Sequence, residues 1–233
     1  MLILLGCKNN DFNFLLKGGE KMPGILYHLS FAEEVFRKLN IRHCNKADFM
    51  SGNLIPDFAV DKQKSHYRIK ASVEGFYIPD LTEAKKELFT FDDVIKLGMY
   101  CHLYLDYHFI ETFLIPEFIW DSENMKVINP RNNKQWDVKT FFSHDGMYGS
   151  YTEINQLLLR DGHVSISSVD KIPAVLPNTG LSIFDTRIEK LWKDELDSYL
   201  KQKKEYTGEI FDYNRLWNCI ERIAMQFVNE VSK

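Results

Sequence analysis

One segment constrains the fold more than any other, because it is apolar around its whole circumference and yet contains ionisable residues. Thr90 and Asp93 predict an N-terminal cap, and a helical pattern then runs to about Phe118. A helix of this kind is buried at the centre of its domain. His102 and Asp106 are four residues apart within it, so their side chains project from one face.

A buried carboxylate costs several kcal/mol unless it is paired or binds a metal ion. A buried hydrogen bond between His102 and Asp106 would account for the pair equally well. Further nitrogen and oxygen donors occur upstream, however, and Asp57 follows a proline that stiffens its approach. Such a donor set suits zinc, and also manganese or iron. The candidate metal ligands are His28, Asp57, His66, His102 and Asp106.

The rest of the chain predicts an all-α fold of several helices, with one small β-hairpin near residues 125–138. Ser30 and Glu33 predict a capping box at the start of the first helix. Residues 44–66 read as a loop, and residues 66–80 as either a short helix or an extended stretch. Further helices are predicted from Ser150 to Gly162, from Asp185 to Lys204, and over residues 211–231. No repeat or linker is evident, so residues 22–233 are predicted to form a single domain.

Charge and composition restrict the partners of the protein. The net charge is −4, without a large cluster of Lys and Arg, so nucleic-acid binding is not expected. No apolar run approaches the roughly 20 residues of a membrane-spanning helix. The four cysteines are scattered along the chain, which favours reduced thiols and a cytoplasmic location. If residues 1–7, which end in Leu-Leu-Gly-Cys, were a degenerate lipoprotein signal, the protein would instead be secreted or lipid-anchored.

Residues 1–21 are interpreted as a translated leader or a disordered tail. The stretch Lys17-Gly-Gly-Glu-Lys21 can be encoded by a bacterial ribosome-binding sequence, placed at a suitable distance before Met22. If translation begins at Met22, removal of that methionine would leave Pro23 with a free N-terminal amine. An α-amine with a pKa of about 7.7–8.0 can lose its proton to a metal ion at neutral pH. The alternative is that Pro23 merely starts a turn.

Three motifs carry a family resemblance: residues 22–35 (MPGILYHLSFAEEV), residues 52–57 (GNLIPD) and residues 97–106 (LGMYCHLYLD). With His66 between the last two, they resemble the bacterial zinc-dependent phospholipase C family, whose fold is shared by single-strand nucleases. The resemblance covers about residues 22–118. It implies a helical bundle with a zinc cluster in a cleft. By this resemblance one metal ion would be held by Asp57, His66, His102 and Asp106.

The same resemblance implies a second metal ion, held by His28, by Asp106 as a bridge, and by the N-terminal amine of Pro23. The sequence departs from the family where a third metal ion would bind. His108 follows Asp106 by only two residues and points away from it, and His144 has Tyr148 rather than an acid four residues later. His108 is therefore interpreted as structural, and the role of His144 stays open. His43 and His163 are interpreted as bystanders.

The expected activity is hydrolysis of a phosphoric ester by a metal-activated water, with a phosphodiester such as a phospholipid as the substrate that the resemblance implies. Asp57 is the candidate to orient or deprotonate the water. A small phosphoester in the cytoplasm is an equal alternative. One rival is a non-catalytic helical protein with a structural metal ion. Another is a phosphohydrolase that uses His144 and Asp145 as its metal-binding pair.

Overall fold

The computed structural model describes residues 24–39, 45–73, 76–184, 192–202 and 204–232. Within these ranges the chain is predominantly helical. The α-helices are α1 (Ile25–Leu39), α2 (Lys46–Phe58), α3 (Lys62–Ser65), α4 (Leu81–Leu88), α5 (Val94–Phe109), α6 (Ile115–Glu117), α7 (Val138–Phe141), α8 (Met147–Arg160), α9 (Ile166–Val169), α10 (Trp192–Lys201) and α11 (Tyr213–Val231). A π-helical turn, Ile110–Leu114, joins α5 to α6, and a 3-10 turn spans Ser182–Phe184.

Two small antiparallel sheets complete the fold. The first pairs β1 (Arg68–Lys70) with β2 (Tyr77–Pro79), and Ile69 lies opposite Ile78. The second has the order β3 (Ile119–Asp121), β4 (Lys126–Asn129), β5 (Lys134–Asp137). The predicted hairpin near residues 125–138 is therefore confirmed as β4 and β5. It belongs to a three-stranded sheet, because β3 adds to its edge.

Helix α5 lies at the centre of the fold, as the sequence predicts. Asp93 caps it by accepting hydrogen bonds from the backbone N–H groups of Ile95 and Lys96. Eleven of its residues are buried, and it packs against α1, α2, α4 and α11. Buried apolar side chains from both halves of the chain form one cluster around it. No helix in the described residues combines the length and apolarity needed to cross a membrane.

The closest helix packing is between α2 and α5. At Gly98 on α5, an added Cβ would lie 2.2 Å from the carbonyl oxygen of Phe49 on α2. At Gly52 on α2, an added Cβ would lie 2.0 Å from the carbonyl oxygen of Ile95 on α5. Each glycine therefore lets the backbone of the other helix come into direct contact. This contact fixes α2 relative to the centre of α5.

Two expectations about the first half of the chain are wrong. The first helix begins at Ile25, so Ser30 lies inside it and is fully buried instead of capping it. The expected loop over residues 44–66 contains α2 and α3, with Pro56 inside the last turn of α2. Pro56 has no backbone N–H to donate to the preceding turn, and packing on α5 outweighs this loss together with the poor helix propensity of Gly52 and Asn53. Residues 66–80 form the extended pair β1 and β2.

The second half agrees more closely with the predicted helices. Helix α8 begins before Ser150 and ends before Gly162, which has a φ of +74°. The stretch after it contains α9 and the 3-10 turn. Helix α10 begins at Trp192 in the described residues, and the predicted start at Asp185 lies outside them. The last predicted helix corresponds to α11, whose start is capped by Asp212.

Candidate metal centre

Four helices of the first half of the chain, α1, α2, α3 and α5, position a cluster of buried imidazoles and carboxylates. His28 lies on α1, Asp57 in the last turn of α2, His66 directly after α3, and His102 and Asp106 on α5. All five residues are at most 7 % exposed. The close packing of α2 on α5 brings Asp57 to the same side as the α5 pair. The structure thus brings together the five candidate ligands of the described residues.

Asp106 is the centre of the cluster. Its Oδ1 lies 3.4 Å from Nε2 of His28. Its Oδ2 lies 3.4 Å from Nε2 of His102 and 3.6 Å from Nε2 of His66. Asp57 Oδ1 is 3.9 Å from Nε2 of His66 on the other side. One carboxylate therefore faces three imidazoles, with a different oxygen toward His28 than toward the other two.

A backbone carbonyl group fixes the tautomer of His102, so that the unprotonated nitrogen points to the centre of the cluster. Nδ1 of His102 lies 2.7 Å from the carbonyl oxygen of Asn53, which can only accept, so Nδ1 carries a proton and donates it. In the neutral imidazole, Nε2 is then unprotonated and directed at Asp106 and at Nε2 of His66, 3.3 Å away. A hydrogen bond of this kind on the far side of the ring is typical of metal-ligating histidines.

The ring of His66 is oriented in a similar way, by a hydrogen bond to the side chain of Ser65. Ser65 Oγ donates to the carbonyl oxygen of Pro56 at 3.0 Å, so its lone pair is free to accept from Nδ1 of His66, also at 3.0 Å. The neutral ring then presents an unprotonated Nε2 to the centre. Tyr67 has a φ of 45°, an unusual conformation for an aromatic residue, and this left-handed residue reverses the chain directly after His66.

Three lone pairs consequently meet without a proton between them when both rings are neutral: Nε2 of His66, Nε2 of His102, and Oδ2 of Asp106. Moreover, Asp106 Oδ1 and Nδ1 of His28 are buried and accept or donate no hydrogen bond among the described residues. Lone pairs this close repel one another unless a cation lies among them. Two triads have ligand atoms within 4.8 Å of one another: His28, Asp57, His102, and His66, His102, Asp106. This donor set fits a zinc-like divalent ion.

The pKa values of the cluster follow from burial and from the facing charges. Burial lowers the pKa of His66 to about 3, so its imidazole is neutral at physiological pH. Burial, and then the neighbouring His102, lower the pKa of His28. Burial opposes ionisation of Asp106, but the facing His102 and His28 outweigh it and hold its pKa well below the usual range. Burial also disfavours charge on His102, yet Asp106 and Asp57 raise its pKa overall. Without a cation, a proton between His102 and Asp106 relieves the repulsion.

Three residues that the sequence analysis did not select support the cluster. Asn53 and Ser65 orient His102 and His66, as described above. Lys62, in the first position of α3, donates from Nζ to Asp57 Oδ1 at 3.1 Å. The sequence spacing of Lys62 from Asp57 and His66 predicts their proximity only weakly, because residues 44–66 read as a loop. Only the fold places this ammonium group beside the cluster.

The remaining candidates lie elsewhere. His144 and Asp145 are exposed, and the His144 ring is 6.3 Å from that of Tyr148. His144 is in neither of the triads found among the described residues. His108 packs against Tyr104 on another face of α5, and His163 stacks on Trp217. Pro23, Met22 and His43 lie outside the described residues, as do residues 1–21.

Comparisons with protein families, with curated proteins and with solved structures found no match to this chain.

Proposed function

We propose that this protein is a metal-dependent phosphoesterase whose centre is held by His28, Asp57, His66, His102 and Asp106. The observation that carries the proposal is the fixed orientation of two imidazoles. The Nδ1 atoms of His66 and His102 are both engaged by acceptors on the far side, so both Nε2 lone pairs converge on one carboxylate oxygen. This is the arrangement that a divalent cation requires and that a plain buried hydrogen bond does not.

The ester chemistry rests on the cation and on the resemblance to zinc-dependent phospholipases C. One or two zinc ions, or manganese or iron, would supply a Lewis acid and lower the pKa of a water toward roughly 7. Asp106 presents its two oxygens to different imidazoles and suits a bridging role. Asp57 lies next to the partly exposed Lys62, and there it is suited to orient a water or accept its proton.

A structural metal ion is the second candidate. The observation in its favour is that the five residues are almost completely buried, which is typical of a closed site. A further alternative is that no metal ion binds and that His102 and Asp106 form a buried hydrogen bond. Both alternatives predict a protein that hydrolyses no ester, whereas the proposal requires a ligand position reachable by water.

The test combines metal analysis with a substrate panel. Protein stripped by a chelator and reloaded with zinc or manganese is assayed on phosphomonoesters and phosphodiesters. We expect activity to be lost on stripping and regained on reloading. Asp57→Asn should reduce turnover at least 100-fold while changing the melting temperature by only a few degrees, because Asn keeps the shape of the side chain and loses its basicity. Asp61→Asn, four residues away on the exposed cap of α3, is the matched control.

Three results would contradict the proposal in whole or in part. Fully metallated protein that hydrolyses nothing in the panel would leave the structural metal ion. Equal turnover in Asp57→Asn and the wild type would remove Asp57 from the reaction. Absence of any bound metal in protein purified without chelators, together with failure to bind added zinc, would favour the metal-free pair.

A further inference from the structure

The side of the metal centre next to Asp57 carries a positive charge, in contrast to the acidic protein as a whole. Lys62 reaches Asp57 with its ammonium group, and the Lys62 side chain is 23 % exposed while that of Asp57 is 8 % exposed. Its nitrogen therefore lies on the solvent side of the candidate ligand.

The ammonium group of Lys62 has hydrogen-bonding capacity left over. A lysine has three N–H donors, and among the described residues one contact, to Asp57 Oδ1, is found for Lys62. The side chain is anchored at its base in α3, whose start is capped by Asp61. A donor that is fixed beside the metal ligand, and that retains free N–H groups at the solvent side, can bind an oxygen of an incoming anion.

The charges of the centre indicate which substrates fit it. With neutral imidazoles, the carboxylates of Asp57 and Asp106 and the ammonium group of Lys62 sum to a charge of −1. One divalent cation then gives the site a net positive charge, and a second cation increases it. A phosphomonoester dianion is complementary to this charge. A substrate with a quaternary ammonium beside its phosphate would bring a positive charge toward Lys62 and the cation.

We propose that Lys62 is a substrate-binding residue that holds a non-bridging phosphoryl oxygen and selects phosphate esters without a cationic head group. This inference rests on the proposed function, and it narrows that function to anionic esters, with phosphomonoesters preferred over phosphocholine esters. Lysine is a common phosphate ligand that acts as a point charge, so its contribution depends on charge more than on precise geometry.

The first test measures binding without turnover. Inorganic phosphate is titrated calorimetrically into zinc-loaded wild type, Lys62→Met, Lys62→Arg and Lys64→Met. Lys64 is the matched control, since it lies in the same short helix, is exposed, and pairs with Asp61 instead of Asp57. We expect Lys62→Met to raise the dissociation constant for phosphate about tenfold, Lys62→Arg to restore most of the affinity, and Lys64→Met to leave it unchanged.

Zinc content separates this role from support of the metal site. Lys62 neutralises part of the charge of Asp57, so its removal should leave zinc affinity equal or higher. Loss of zinc together with phosphate binding in Lys62→Met would show that the lysine serves the fold, and would overturn the inference. Unchanged phosphate affinity in Lys62→Met would overturn it as well, whether or not the protein hydrolyses esters.

The second test measures selectivity. The zinc-loaded proteins are assayed on p-nitrophenyl phosphate, bis(p-nitrophenyl) phosphate and p-nitrophenylphosphorylcholine. In Lys62→Met we expect kcat/KM to fall most for the monoester dianion and least for the choline ester, so that the ratio between them shifts at least tenfold toward choline. Equal losses on all three substrates would contradict the assigned selectivity. A wild type that binds phosphate but hydrolyses none of them would refute the phosphoesterase proposal and leave the binding result standing.

Discussion

The contact between α2 and α5 offers a test in which local propensity and tertiary structure predict opposite signs. Replacing Gly98 by alanine in the middle of a helix should stabilise it by about 0.5–1 kcal/mol if only the helix itself mattered. In the fold, the new Cβ would lie 2.2 Å from the carbonyl oxygen of Phe49 and 3.0 Å from the backbone nitrogen of Asn53. Both partners are backbone atoms, which cannot move aside as a side chain can.

The magnitude follows from the required displacement. Ordinary van der Waals contact begins near 3.4 Å, so α2 and α5 must separate by about 1 Å at this point. Overpacking of a close-packed interior costs about 1–3 kcal/mol, and a backbone clash belongs at the upper end. After subtraction of the propensity gain, we expect Gly98→Ala to lose about 2 kcal/mol of unfolding free energy. For a domain of this size that lowers the melting temperature by about 4–8 °C.

The same displacement should reach the metal centre, because the carbonyl oxygen of Asn53 on α2 fixes the ring of His102 on α5. Loss of such an outer contact weakens metal binding by about 10–100-fold. Thermal melts with and without zinc, and a zinc titration, measure both effects. Gly24→Ala is the control, since a Cβ there meets no atom of the described residues within 4 Å. The reasoning is refuted if Gly98→Ala is as stable as the wild type and binds zinc equally well.

Two further predictions concern the imidazoles. His102→Ala should remove the bound metal and cost about 3–5 kcal/mol of unfolding free energy in urea, because the buried Asp106 loses the imidazole four residues before it on α5. The exposed His144→Ala should change neither, and full metal content in His102→Ala would contradict the assignment. In chelator, the apo protein should lose stability as the pH falls from about 6.5 toward 3, since burial lowers the pKa of folded His66 to about 3 and the unfolded chain therefore binds its proton first. In His66→Gln, the unfolding free energy measured in urea should change less with pH than in the wild type. The difference between the two proteins isolates His66 from the opposite effect of His102. Identical pH dependence would refute this attribution.

Some features of the protein follow from the sequence alone because they are determined locally. The apolar run of α5 and its Asp93 cap predict a buried helix. Because His102 and Asp106 are four residues apart, both lie on one face of that helix. The β4–β5 hairpin is predicted for the same reason, since its turn residues separate two short strands by a few positions. Periodicity and capping act within a few residues of the chain, so their outcome does not depend on distant partners.

Other features were decided by tertiary structure. Helix α2 contains Gly52, Asn53 and Pro56, residues that by propensity favour a loop, and it forms because its glycine fits against the backbone of α5. That packing brings the Asn53 carbonyl oxygen to His102 and Lys62 to Asp57. These contacts join residues whose chemistry can be read from the sequence but whose proximity cannot. Donor types are a property of single residues, whereas the direction of a lone pair and the charge beside it depend on which helices touch.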